Sequence, residues 1–177
     1  MKKIILLLGI CFCISEVYAQ RFESKPIDDG DSFEIRIKSF NKLFGEIFVP
    51  EKLAPLVKEK KKTEQRAEWR DKCAKRLITD KLKQILREVG ETEGGGLWVT
   101  FYIDETGNVL TVQFMASSSV YVKLPAKVLK ELYNMAMKEK FDPSCYDFNN
   151  QRTYAVDGFD LMKRALGLDS TKKTTGV

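Results

Sequence analysis

The 177-residue chain contains no histidine, and that absence decides more chemistry than any residue it holds. The Ser/His/Asp and Cys/His nucleophile arrangements, His-ligated zinc and haem, and the usual general base near neutral pH are all unavailable. A serine nucleophile would need a lysine base, and Ser-x-x-Lys occurs as Ser39-Phe40-Asn41-Lys42 and as Ser170-Thr171-Lys172-Lys173. The companion motifs Ser-Asp-Asn and Lys-Thr-Gly are both missing, so the spacing alone carries no mechanism. The carboxylate pairs Glu91/Glu93 and Asp104/Glu105 fall in connections and nominate no retaining or inverting pair. Asp28-Asp29-Gly30-Asp31 lacks the Asp-x-Asp-x-Asp-Gly spacing of a calcium loop and reads as a solvated turn. Gly94-Gly95-Gly96 lies between a helix pattern and a strand pattern, the reverse of the order a phosphate loop requires. The residues therefore nominate no catalytic group, metal or cofactor, and the chain reads as a non-enzyme.

Two sets of residues suit binding. An extended stretch from Arg152 to Leu161, with Arg152, Tyr154, Val156 and Asp157 as contacts, would pair with a partner if it lies at a sheet edge. The aromatic residues Trp98, Tyr102 and Tyr121 would serve a small glycan or lipid if they share an exposed face.

The elements that must position these residues follow from periodicity. Phe33, Ile35 and Ile37 alternate with charged residues as in a half-buried strand, and a second extended piece is expected at Ile47–Val49. From Thr63, a candidate N-cap, apolar residues recur at three and four positions to Val89, which predicts one long helix stopped by Gly90. Leu97–Ile103 and Leu110–Ala116 alternate on either side of Asp104–Val109. Pairing Ile103 with Leu110, Phe101 with Val112 and Val99 with Phe114 keeps one face apolar on both strands. Leu124-Pro125 opens a second helix that Phe141-Asp142-Pro143 ends. In the last strand, Tyr154 and Val156 share a face with Phe159 and Leu161 only if a bulge intervenes. The result is an α+β domain in the order αββαβ with an antiparallel sheet and a short N-terminal β extension. Its expected bounds are 63–163, after an extension at 20–62 and before a polar tail at 164–177.

The first residues read as an address. Lys2 and Lys3 precede an apolar run from Ile4 to Ile14, and Val17-Tyr18-Ala19 forms a small-residue cleavage site before Gln20. Residues 1–19 are thus expected to be a signal peptide cleaved at Ala19/Gln20, giving a periplasmic or secreted protein with no transmembrane segment in the mature chain. The leader would take Cys11 and Cys13 with it, leaving Cys73 and Cys145. In an oxidising compartment these two form either a disulfide or a pair of buried thiols. Positive charge concentrates at 51–90, with 13 Lys/Arg against 7 Asp/Glu. Export argues against nucleic acid as its partner, and an exposed basic helix face is the plain reading.

Val99, Phe101, Ile103-Asp104, Gly107, Val109, Val112, Ser117-Ser118, Leu124, Phe141 and Pro143 follow one another in an order that resembles the TonB C-terminal domain family. The match covers about residues 63 to 163. The uncleaved anchor and Pro-rich span of its energy-transducing members are missing. The resemblance implies a small αββαβ domain that binds partner peptides at a sheet edge. The expected function is a non-catalytic cell-envelope module for a protein or peptide, or for self-association. The alternative is a binder of a small envelope ligand.

Overall fold

The computed structural model describes residues 22–40, 53–92, 95–149 and 154–168. It is an α+β fold with one five-stranded antiparallel sheet. In chain order the strands are β1 (Phe22–Ile27), β2 (Ser32–Ile37), β3 (Leu97–Ile103), β4 (Val109–Ser117) and β5 (Ala155–Asp160). The helices are α1 (Lys60–Leu77), α2 (Asp80–Thr92), α3 (Ser118–Lys123), α4 (Ala126–Ala136) and α5 (Leu161–Ala165). Across the sheet the order is β1-β2-β4-β3-β5, so β1 and β5 are its two edges.

Residues 22–27, within the extension expected at 20–62, form strand β1. It pairs with β2 along its whole length, from Phe22 opposite Ile37 to Ile27 opposite Ser32. The turn Asp28–Asp31 between them holds Asp29 and Gly30 at positive φ (53° and 95°), which is how an Asp-Gly pair closes a hairpin. Ile47–Val49, the other expected extended piece, lies outside the described residues.

The central hairpin keeps the expected pairs Phe101–Val112 and Val99–Phe114, but Ile103 pairs with Val109. A bulge after Tyr102 inserts Leu110 and turns it outward. The turn residues dictate this. The Asp104 carboxylate accepts hydrogen bonds from the Thr106 N–H, the Thr106 hydroxyl and the Asn108 N–H. Gly107, at φ 84°, then supplies the left-handed residue of a type I turn followed by a bulge. Gly107 is also pressed against the Phe141 carbonyl, which any Cβ there would strike.

The single long helix is two. Ile78 departs from helical geometry (ψ 84°), and Thr79 accepts the Leu82 N–H to start α2. The break lets α1 bury Cys73, Ala74 and Leu77 while α2 separately buries Leu82, Leu86 and Val89. Thr63 does not cap α1. The helix starts three residues earlier at Lys60, and the Thr63 hydroxyl donates back to the Glu59 carbonyl. Gly90 does not end α2 but lies within it against Leu166 of the segment after α5.

The helices pack on one face of the sheet. Trp69 of α1 lies 5.6 Å, centroid to centroid, from Phe101 and 3.8 Å from Phe141. Leu97, Val99, Phe101 and Ile103 of β3 are fully buried beneath this layer with Val112, Phe114 and Ala116 of β4. The opposite face carries Trp98, Thr100, Met115, Glu34 and Arg36, and Trp98 and Met115 are exposed.

Candidate functional site

β5 is an edge strand, as expected for residues 155–160, and no bulge interrupts it. Its inward positions are Ala155, Asp157 and Phe159, so the polar Asp157 takes a core position and Tyr154 and Val156 turn to the other face. The Asp157 side chain is 0% exposed. Its carboxylate accepts from the Arg70 Nε at 2.8 Å, the Arg70 Nη2, the Tyr146 hydroxyl at 2.7 Å and the Gly158 N–H at 2.7 Å. Asp157 therefore ties α1 and the segment after α4 to the sheet and presents nothing outward. Tyr154 is buried, and its carbonyl accepts the Ala54 N–H at 2.9 Å. Arg152 lies outside the described residues. Both the Tyr154 carbonyl and the Gly158 N–H point away from β3, and both already have partners. The N-terminal strand at 32–37 does not cover this edge, because it lies against β4.

The three aromatic residues do not converge. Trp98 lies on the open face, 39% exposed, with its Nε1 against Gly158. Tyr102 shares that face but is buried between Phe40 and Tyr154 and donates to Gln113 Oε1 at 2.8 Å. Burial, with Glu34 nearby, pushes its phenol up to about 12. Tyr121 of α3 is on the helix side, stacked on Phe33 at 4.1 Å, with its hydroxyl 2.7 Å from Ser24 Oγ.

Cys73 and Cys145 are free and separately buried, so the disulfide alternative is not realised. The Cys145 Sγ faces the Lys62 carbonyl in the first turn of α1. Cys73 is about three turns further along, roughly 16 Å at the helical rise, beyond the ~7 Å that a bridge tolerates. Burial, then Glu139, raises the Cys73 thiol; burial, then Asp142, raises that of Cys145. Neither is poised as a nucleophile.

Three cations of the basic segment hold the fold together. Arg70 pairs with Asp157, Arg76 with Glu139 and Lys62 with Asp142, while Asp71 of the same helix takes Arg164.

The other edge is built differently. The Asp31 carbonyl accepts the Ser118 N–H just beyond β4, so odd-numbered residues of β2 direct their backbone groups toward β4. Even-numbered residues of β2 then face β1, where Ser32, Glu34 and Arg36 oppose Ile27, Lys25 and Glu23. The backbone groups of Phe22, Ser24 and Pro26 consequently point outward. Proline at the third of these positions forfeits no ladder bond, which is where an edge tolerates it. Beside this edge runs a groove of about 660 Å³ between β1 and the α3–α4 segment. Phe22, Ile35, Leu124 and Leu129 line it, and Lys127 and Lys130 stand on its rim. The sequence signal for β1 was present in the alternation of Phe22, Ser24 and Pro26 before an Asp-Gly turn, but three alternating residues are too short a run to distinguish strand from lead.

A smaller cavity of about 260 Å³ lies between α1 and the segment after α4, lined by Arg66, Trp69, Phe141, Cys145 and Tyr146 among others. Among the described residues no group of three or more Cys, Asp or Glu is placed to hold a metal, and no helix is long and apolar enough to cross a membrane.

The architecture has a crystallographic counterpart. A DUF5043 family protein from Bacteroides uniformis superposes with a TM-score of 0.50, over 80% of this chain and 85% of that one, at 16% identity. That likeness concerns the fold alone. No protein-family model and no curated protein matches the sequence.

Proposed function

We propose that this chain is an exported, non-catalytic cell-envelope module that holds an extended protein segment by pairing it onto a sheet edge, and that the edge is β1. The observation that carries the reading is the outward direction of the Phe22 and Ser24 backbone groups beside an apolar groove. Main-chain hydrogen bonds supply affinity in this mode, and a groove receives alternate side chains of the added strand. The leader-like residues 1–19 support export, and the lack of a nucleophile–base pair supports a binding role. The ordering of the TonB-like motifs is compatible with it. β5 suits the role less well, because two of its outward groups are satisfied internally.

The test is panning of a random decapeptide display library on the full-length protein. The enriched peptides are expected to lose binding in Ser24→Pro, which removes an outward N–H, and to keep it in Val156→Pro on the opposite edge. Amide exchange at Phe22 and Ser24 should slow when such a peptide is bound. Peptides that bind equally well to Ser24→Pro and leave those amides unprotected would refute the reading.

A further inference from the structure

We infer that the segment taken up at β1 is an acidic one, with apolar side chains at alternate positions. This rests on the edge-pairing reading above and adds the chemistry of the partner.

Two features of the groove carry the inference. Its wall is apolar: Phe22 and Ile35 come from the sheet and Leu124 and Leu129 from the helical side, and Val122 at its end is 81% exposed. A strand laid along β1 would send every second side chain toward this wall, because side chains alternate across a sheet. The charges around the wall that have no ion-pair partner among the described residues are of one sign. Lys127 and Lys130 on its rim are exposed, and neither has a carboxylate partner among the described residues. The one carboxylate in the groove lining, Glu23, is already engaged by Arg36 at 2.9 Å. A partner strand therefore meets two unanswered ammonium groups beside an apolar slot, a combination that suits apolar residues facing the slot with acidic residues next to them.

The backbone limits the length of the contact. Phe22 and Ser24 offer both an N–H and a carbonyl, whereas Pro26 offers only a carbonyl, so full pairing ends there. A second copy of this chain fits the same edge poorly. Antiparallel self-pairing about Ser24 would set Phe22 opposite Pro26 at both ends, losing one donor each time. It would also bring two rims of Lys127 and Lys130 to one seam.

The experiment compares peptides enriched from the same library for binding to the wild type, Lys127→Glu/Lys130→Glu and Ser24→Pro, with sedimentation of all three proteins. The expected result is an excess of Asp and Glu over Lys and Arg in the wild-type pool, with apolar residues at every second position. Those peptides should bind the reversed-charge variant at least about five-fold more weakly, the effect of two surface charge contacts, and the wild-type affinity should fall as salt rises. Enriched peptides that require Ser24 but carry no acidic excess, or bind the variant equally well, would overturn the inference and leave edge pairing standing. A pool indifferent to Ser24→Pro would overturn both. A wild-type dimer that Ser24→Pro converts to a monomer would assign the edge to a second copy and overturn the acidic partner.

Discussion

Replacing Arg70 with methionine separates a structural Asp157 from a binding one. The Asp157 carboxylate is fully enclosed and receives four hydrogen bonds, two of them from Arg70. Removing the guanidinium leaves a buried negative charge with only the Tyr146 hydroxyl and one backbone N–H. Breaking a buried pair on one side is worth about 3–5 kcal/mol. Arg70 itself is 29% exposed, and water reaching the vacated position offsets part of the loss, so the low end of about 3 kcal/mol is expected. For a chain of this length that corresponds to a fall in Tm of roughly 6–12 °C. Urea unfolding of the wild type, Arg70→Met, Asp157→Leu and the double variant measures it. The double variant should recover much of the Arg70→Met loss, because no charge is then left unpaired. Glu68→Ala, which breaks an exposed pair with Lys72, should change stability by less than about 0.5 kcal/mol. An Arg70→Met loss below about 1 kcal/mol would refute the argument that Asp157 serves the fold.

Three other outcomes are expected. Gly107→Ala should destabilise the protein by about 2–4 kcal/mol in urea unfolding, since it combines a positive φ with a backbone clash at the Phe141 carbonyl. Alkylation without reductant, followed by peptide mapping, should label both Cys73 and Cys145 in denaturant and both only slowly in the native protein; denatured protein that resists labelling would reveal a disulfide. Burial alone would raise Asp104, but the hydrogen bonds from Thr106 and Asn108 outweigh it and hold the carboxyl below its usual range. Its stabilisation is then fully present above the unfolded-state value of about 3.9 and is lost as pH falls through the lower folded-state value. Asp104→Asn should therefore cost about 1 kcal/mol at neutral pH, and the difference from wild type should shrink as the solution is acidified through that range.

The sequence disclosed most where one residue type admits one geometry. Alternation over seven residues identified β3, and the register of Phe101–Val112 and Val99–Phe114 followed from matching apolar faces. What it could not disclose came from tertiary competition. Nothing in Asp157 marks it as buried, because its environment is created by Arg70, distant in sequence, and by Tyr146. The apolar period from Ala67 to Val89 runs unbroken through Ile78 and Thr79, so the helix break is visible only once α1 and α2 cover separate parts of the core. The bulge at Leu110 also escaped a rule based on parity, since Asp104 and Gly107 set the turn one residue shorter than alternation implies.

The two sheet edges meet the same physical problem with different residues. An edge strand exposes unpaired backbone groups that invite association, and native proteins blunt them with charge, proline or covering segments. At β5 the Tyr154 carbonyl is taken by Ala54 and the Gly158 N–H by the carboxylate beside it. Trp98 lies against Gly158, where a Cβ would meet the indole and the Val99 carbonyl, so that stretch of edge is shielded from the open face as well. At β1 the devices are a proline at the far end and the exposed Lys25, and the outward backbone groups of Phe22 and Ser24 have no hydrogen-bond partner among the described residues. Had blunting been the only requirement, a charged residue in place of Phe22 would have cost less than at an enclosed position, since Phe22 is only partly buried where it packs against the core. An apolar slot kept beside the less protected edge is the reason we place the proposed partner there, and β5, with its Arg70–Asp157 anchor, is the edge that ties the helical layer to the sheet.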